Sequence, residues 1–238
     1  MRAFRYVGGA LLLAGCSAPS GASQDRGRAP SYRLEPFLWL PTLTGEVPDG
    51  SGSPGPPIDV GLIGVEDLEY AMMLDLEVDH WNPRWALLID SIYVRFDDDE
   101  GALHTGFDLR MFEMAAARPI CAGSPVELLA GLRYWDLGAD ASVAPTAGLG
   151  RDESWLDPVI GVRGVQELSD AWSLNGRGDI GGFGLKADWS LQLILDAEYR
   201  FSSGLRLLVG YRHLFVDFDD LDLEVTVSGP LVGLSWKI

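Results

Sequence analysis

The sequence predicts an all-β fold, an up-and-down antiparallel transmembrane β-barrel of about ten strands. Three observations support this prediction. From Ser31 onward, apolar and polar residues alternate at period two in runs of about ten residues, the pattern of strands that cross a membrane. Turn residues separate these runs. No apolar run reaches the roughly 18–20 residues that a membrane-spanning helix needs, so a helical membrane protein is excluded.

The charge balance of the 238-residue chain limits the classes of partner that it can bind. It has 35 acidic and 18 basic residues, a formal net charge of −17, and this argues against nucleic acid, whose phosphates bind basic patches. Lysine is nearly absent, with Lys186 and Lys237 as the two examples. A surface that faces water usually carries many lysines, so this surface need not face water.

The first residues predict export from the cytoplasm. Arg2 and Arg5 precede the short apolar core 7–13, so residues 1–15 are typical of a bacterial signal peptide. Leu13-Ala14-Gly15-Cys16 resembles the lipobox of bacterial lipoproteins. The resemblance implies that Cys16 is acylated and begins the mature chain, and that Ser17, which is not Asp, directs it to the outer membrane. The alternative is an ordinary signal peptide cut nearby.

The next segment predicts a tether, and the remainder predicts the barrel. Residues 16–30 are small, polar and rich in Pro and Gly, which favours a flexible linker. Residues 31–238 carry the alternation. Cys121 is the second of the two cysteines. If Cys16 is acylated the two cannot pair, and if it is not, a disulfide between them can form in an oxidising periplasm.

Ten strands follow from the alternation and the turn residues between them. The clearest run is 189–201, in which one face is apolar and the other polar. The first strand is interrupted by Pro36 and Pro41. The fourth places Glu113 on its apolar face, which a β-bulge near Phe112 would correct. The predicted strands are 31–46, 69–81, 84–97, 102–118, 125–138, 154–167, 171–184, 187–201, 205–217 and 222–238.

An even strand number puts both chain ends on one side of the membrane. With the N-terminus in the periplasm, the short turns 82–83, 119–125, 169–170 and 202–204 are periplasmic. The connections 47–68, 98–101, 139–153, 185–186 and 218–221 then face outward, and this asymmetry is typical of outer-membrane barrels. Residues 58–68 are apolar enough either to plug the barrel mouth or to extend the second strand.

The tryptophans and the C-terminus add two further signals. Trp81, Trp85, Trp172 and Trp236 lie at predicted periplasmic strand ends, and Trp135, Trp155 and Trp189 lie at or near outer ends, as in the aromatic girdles of membrane barrels. Trp39 fits neither group. Apolar residues alternate up to Ile238 and resemble the C-terminal signal read by the barrel-insertion machinery, although the usual final residue is Phe.

The polar faces supply the candidate site residues. If the apolar faces meet lipid, with Leu193, Leu195, Leu207, Val209 and Leu234 among them, the charged residues of the other faces point into the barrel. There they form either a narrow polar conduit or a structural network, and Arg177 is expected to pair with Asp196. The predicted interior residues are Arg133, Asp157, Arg163, Arg177, Asp179, Asp196, Glu198, Arg200, Arg206 and Arg212.

Acidic residues concentrate on the predicted outer loops, at 97–100, 152–153 and 217–222. Carboxylate oxygens are ligands for Ca²⁺ and Mg²⁺, which would bridge these clusters to lipopolysaccharide phosphates. The alternative is a solvated acidic rim. The sequence has no phosphate loop, no Cys/His metal cluster and no nucleophile elbow. We therefore expect no cofactor, no metal and no enzymatic activity.

Short blocks in residues 31–238 are similar to a largely uncharacterised group of small proteobacterial outer-membrane barrels of the OmpA type. The blocks are 39–45 (WLPTLTG), 131–134 (GLRY), 157–163 (DPVIGVR), 179–184 (DIGGFG) and 210–212 (GYR). The resemblance implies fold and location and no established activity.

Three functions are compared. The first is a monomeric outer-membrane barrel, in contact with lipid and lipopolysaccharide, whose role is structural, envelope-interacting or weakly pore-forming. The second is a soluble lipocalin-like lipoprotein that binds an apolar ligand. The third is a lipid-modifying enzyme. Some such enzymes use a Ser–His pair on the barrel surface, but no serine is evident beside His213.

Overall fold

The computed structural model describes residues 30–46, 57–60, 68–82, 85–100, 103–143, 149–185, 187–218 and 223–238. In these residues no helix is long and apolar enough to cross a membrane. Twelve β-segments follow one another along the chain: β1 (Ser31–Trp39), β2 (Thr42–Glu46), β3 (Pro57–Val60), β4 (Leu68–Asn82), β5 (Trp85–Glu100), β6 (Leu103–Pro119), β7 (Val126–Val143), β8 (Leu149–Glu167), β9 (Trp172–Gly182), β10 (Trp189–Arg200), β11 (Arg206–Phe218) and β12 (Leu223–Lys237).

The twelve segments make a closed barrel of ten antiparallel strands, as predicted. β1 and β2 lie one after the other along β12 and count as one wall strand. β3 pairs with β2 and β4 pairs with β1, so these two occupy the next position. β5 to β12 supply the other eight positions. The barrel closes where Tyr32 and Ile238 exchange backbone hydrogen bonds, with N···O distances of 3.4 and 2.8 Å.

The chain ends define the two ends of the barrel. The terminal end holds Tyr32, Ile238 and the turns 120–125, 168–171 and 201–205. The far end holds the turn of the β9–β10 hairpin, with residues 183–185 and 187–188. The pairing of β1 with β12 closes the wall, as a strand-built membrane protein requires, because lipid offers no hydrogen-bond partners to the backbone.

One of the two prolines breaks the first strand. Pro36 stays within β1, opposite Leu74 of β4, while Pro41 lies in the gap between β1 and β2. The Leu40 N–H bonds the Pro230 oxygen at 3.0 Å. A Cβ at Gly229 would lie 2.0 Å from the Leu40 oxygen, so a glycine is required where β12 meets this break.

The strands run further toward the far end than predicted. β5 continues to Glu100, β7 continues to Val143 and β8 begins at Leu149. The predicted loops 98–101 and 139–153 are therefore wrong over most of their length. Beyond the lipid both faces of a hairpin meet water, so alternation fades while backbone pairing continues. β3 extends the wall above β4, whereas residues 61–67 of the predicted plug lie outside the described residues.

The two faces of the barrel wall differ as the alternation predicts. Large apolar side chains lie outward on most strands, and Leu195 and Val209 are each 56% exposed. Leu193 and Leu234 also face outward, and Leu207 is half-buried. The buried far half of the interior is apolar. Its core cluster is Trp39, Met73, Ile92, Val94, Leu109, Met111, Trp135, Trp155, Ala187, Leu214, Val216, Val227 and Leu231.

The fourth predicted strand, now β6, contains no bulge. It pairs in unbroken register with β5 and β7, and Glu113 is 1% exposed inside the barrel beside Met111 and Ala115. The expectation of a bulge near Phe112 was wrong because the more apolar face of β6, with Leu109, Met111 and Ala115, lies inward, whereas the expectation had assigned the apolar face to lipid. Its inward face could not be recognised without its neighbours.

Candidate functional site: the charged barrel interior

Arg133 is the centre of the charged interior. It lies on β7 and is 0% exposed. Its Nε and one terminal nitrogen donate to Glu113 Oε2 at 2.8 and 2.6 Å, and the same terminal nitrogen donates to Asp179 at 2.6 Å. Arg177 donates to the other oxygens of both carboxylates. Two arginines and two carboxylates thus neutralise each other, as burial of charge demands.

A second branch joins this group to the opposite wall. Gln192 donates to Asp179 at 3.0 Å and accepts a hydrogen bond from Arg212 at 2.5 Å. Arg212 also donates to Asp90 at 2.6 Å, and its guanidinium lies 5.5 Å from the centre of the Trp39 ring. The network therefore crosses the lumen between strands that are not neighbours in the wall.

Two smaller ion-pair groups lie nearer the terminal end. Arg163 bonds Glu77 and Glu127, each at 2.6 Å. Arg206 bonds Glu198 at 2.7 Å. These arginines are 20% and 15% exposed, so water reaches this part of the interior.

Trp135 and Trp155 face the interior, which corrects their assignment to an aromatic girdle. They are opposite each other on β7 and β8 and stack with ring centroids 5.6 Å apart. Trp155 Nε1 donates to Asp157 at 2.8 Å. Both share the parity of Arg133 and Asp157, so alternation alone could have placed them inside. Trp172 and Trp189 are exposed on the outer surface, where a girdle would lie.

The predicted pair between Arg177 and Asp196 is wrong. The β9–β10 register puts Arg177 opposite Ile194 and Asp196 opposite Asn175, two residues away. Asn175 donates to Asp196 at 2.6 Å. The expectation used heights above two turns at the terminal end, whereas these two strands are joined at the far end, where Gly182 is opposite Trp189 and the register begins.

The ten predicted interior residues fall into three groups. Six of them are buried: Arg133, Asp157, Asp179, Asp196, Glu198 and Arg212. Three are partly buried and have interior partners: Arg163, Arg177 and Arg206. Arg200 is exposed at the end of β10, 3.9 Å from Glu167, so it is not part of the network. Sequence reasoning missed three members: Asp90, Glu113 and Gln192.

The hairpin from β9 to β10 carries Asp179 into the network. Gly182, Phe183 and Gly184 have φ values of 91°, 56° and 71°, the left-handed region that favours glycine. Ala187, which follows, is 0% exposed in the apolar core. The block 179–184 thus combines a network carboxylate with the turn that closes the hairpin.

A serine does lie beside His213, which corrects the expectation that none would. Ser228 is its partner in the β11–β12 register, and both residues face outward. On the other side, however, His213 is opposite Leu193 of β10. An aliphatic side chain cannot orient an imidazole, so the third group of a catalytic triad is not supplied from that strand.

Several predicted residues lie outside the described part of the chain. These are Cys16, residues 219–222 and the side chains of His80, His104 and Asp99. Among the described residues, no group of three or more His, Cys, Asp or Glu could hold a metal ion.

A cavity lies between the network and the terminal end. Its volume is about 160 Å³. Its ceiling includes Arg177 and Arg212, and toward the terminal end it reaches Arg33 and Glu198. A small molecule could fit into it.

A closed ten-stranded barrel with an apolar outer wall and a charged interior defines a class: the fold is that of bacterial outer-membrane β-barrel proteins. The outer-membrane protease OmpT of Escherichia coli is similar in structure, with a TM-score of 0.54, 9% identity and coverage of 90% of this chain and 100% of that chain. Ail of Yersinia pestis gives a TM-score of 0.47 at 9% identity, covering 89% and 100%. No known family model and no curated protein matches the chain.

Proposed function

We propose that this protein is a sealed outer-membrane barrel with a structural or envelope-interacting role. The observation that carries the proposal is the filled interior. The apolar core packs the far half of the lumen, and the network around Arg133 spans the middle. An ion that crossed would have to displace buried, mutually neutralised groups. We therefore favour the structural role over the weakly pore-forming one.

The outer surface supports a location in the membrane. Leucines and valines that are about half exposed cover the wall, and in water such a continuous apolar surface would cause aggregation. A soluble lipocalin-like protein has the opposite arrangement, because its ligand needs an apolar interior. Here the interior holds Arg133, Glu113 and Asp179, so the lipocalin-like alternative is disfavoured.

We propose no enzymatic role. The protease activity named for OmpT belongs to that protein, and no described group here forms a nucleophile with an oriented base. The Ser228–His213 pair lacks a third group from β10. We also propose insertion by the barrel-assembly machinery, which the C-terminal alternation supports, together with a monomeric state and contact with lipopolysaccharide. The lipobox-like block supports a lipid tether at Cys16, whereas the structure has Cys121 in a disulfide, which supports the alternative of an unacylated chain.

Two measurements test the proposed function. In gels of native membranes the unheated protein should migrate faster than the boiled protein, because a membrane barrel stays compact in detergent. In planar lipid bilayers the purified protein should give no conductance steps, whereas a Trp39→Ala, Trp135→Ala, Trp155→Ala variant, which empties the core, should give them. Steady conductance by the unaltered protein would contradict the sealed barrel.

A further inference from the structure

The cavity at the terminal end has an excess of negative charge. Six carboxylates line it, from Glu35, Asp75, Glu77, Asp90, Asp196 and Glu198, against four arginines. Three of these carboxylates form ion pairs. Glu77 pairs with Arg33 and Arg163, and Asp90 pairs with Arg212. Glu198 pairs with Arg206, which does not line the cavity. Arg177 is used by Glu113 and Asp179.

Among the described residues, three lining carboxylates form no ion pair within 4 Å: Glu35, Asp75 and Asp196. Glu35 and Asp75 are direct cross-strand partners on β1 and β4, and such side chains have Cβ atoms about 4.5–5.5 Å apart. Asp196 enters from β10, across the lumen, and has the neutral Asn175 amide as its donor.

An independent observation points to a missing partner. Asp90 is 4% exposed, lines the cavity, and its Oδ1 atom has no hydrogen-bond partner, although Oδ2 is bonded to Arg212. Its cross-strand partner is Asp75, which has no proton to donate when ionised. Buried carboxylate oxygens without donors are costly, so this wall of the cavity can accept a further donor.

We propose that the cavity binds a small alkylammonium ion. Its volume of about 160 Å³ is well above the space that a single water molecule needs, so a small ligand with an alkyl chain can fit. An ammonium group supplies three donors for Glu35, Asp75 and Asp90. The lining also includes Leu88, Leu208 and Leu231, which offer an apolar surface to an alkyl chain but nothing to a hydrated metal ion.

The test is equilibrium dialysis of n-butylammonium against the full-length protein, expressed in the outer membrane and purified in detergent. We expect one saturable site per barrel. Asp75→Asn keeps the shape and removes one charge, and should weaken binding about tenfold or more, as loss of a hydrogen bond to a charged group does. Glu35→Gln with Asp75→Asn should abolish binding. Glu167→Gln, at an exposed carboxylate, is the matched control and should bind normally.

Two further measurements keep the outcome decisive. n-Butanol has the same alkyl chain and no charge, so it should not compete. In the unaltered protein, n-butylammonium should raise the urea concentration at the midpoint of unfolding, and NaCl of equal ionic strength should not. This measurement tests binding without any variant, so it holds even if a variant fails to insert. Three results would overturn the proposal: binding that does not saturate, binding by the double variant equal to that of the unaltered protein, or competition from butanol. Each would mean that the cavity carboxylates are balanced by protons or water and not by an ammonium ion.

Discussion

Replacement of Arg133 by Met should strongly destabilise the barrel. Methionine has a similar length and no charge, and the change removes three hydrogen bonds of 2.6–2.8 Å from a side chain that is 0% exposed. Glu113 and Asp179 would then share Arg177 alone. Breaking a buried charge group by removing one partner costs about 3–5 kcal/mol, which corresponds to at least a hundredfold in the unfolding equilibrium, at about 1.4 kcal/mol per tenfold.

Arg110→Met is the matched control. Arg110 also lies one strand from its partner and bonds Asp136 at 3.2 Å, but it is 55% exposed. An exposed ion pair contributes about 0–1 kcal/mol, so this variant should unfold nearly as the unaltered protein does. The interior variant that also carries Glu113→Leu should recover part of the loss, because the second buried charge is removed.

The assay is urea unfolding of the barrel in lipid vesicles, followed by tryptophan fluorescence. Trp135 is a direct reporter, since the Arg133 guanidinium lies 5.8 Å from its ring centre. If Arg133→Met and Arg110→Met lower the free energy of unfolding equally, the interior network does not hold the barrel together and the reasoning fails.

Three other predictions concern the wall, the core and the topology. Leu193→Arg should lower the free energy of unfolding by about 2–4 kcal/mol if this outward residue lies near the bilayer midplane, as measured by the same unfolding assay. An unchanged free energy would show that residue 193 does not face lipid. Trp135→Ala should lower the free energy of unfolding by about 3–5 kcal/mol, because it is a large-to-small change in the core. Trp189→Ala, at an exposed residue, should lower it clearly less, and equal losses would argue against a packed core. Asp99→Cys, in a background that lacks Cys121, should react with an impermeant thiol reagent on intact cells, and labelling that requires a broken outer membrane would invert the topology.

The alternation of apolar and polar residues along the sequence was sufficient to predict the barrel architecture. The run 189–201 placed Leu193 and Leu195 on one face and Asp196 and Glu198 on the other, and the structure keeps that division. Period two is a local property, because successive side chains of a strand point to opposite faces whatever the strand pairs with. The strand number could also be predicted, since turn residues mark each reversal of the chain.

Partner choice in the interior came only from the tertiary structure. The sequence identified Arg177 and Asp196 as interior residues, yet Arg177 bonds Glu113, and Asp196 bonds Asn175. Inward residues meet across a lumen whose geometry depends on the register of every strand pair and on closure. Glu113, on the apolar inward face of its strand, is recognised only beside Arg133. Local alternation decides which way a side chain points, and only barrel closure decides which side chains it meets.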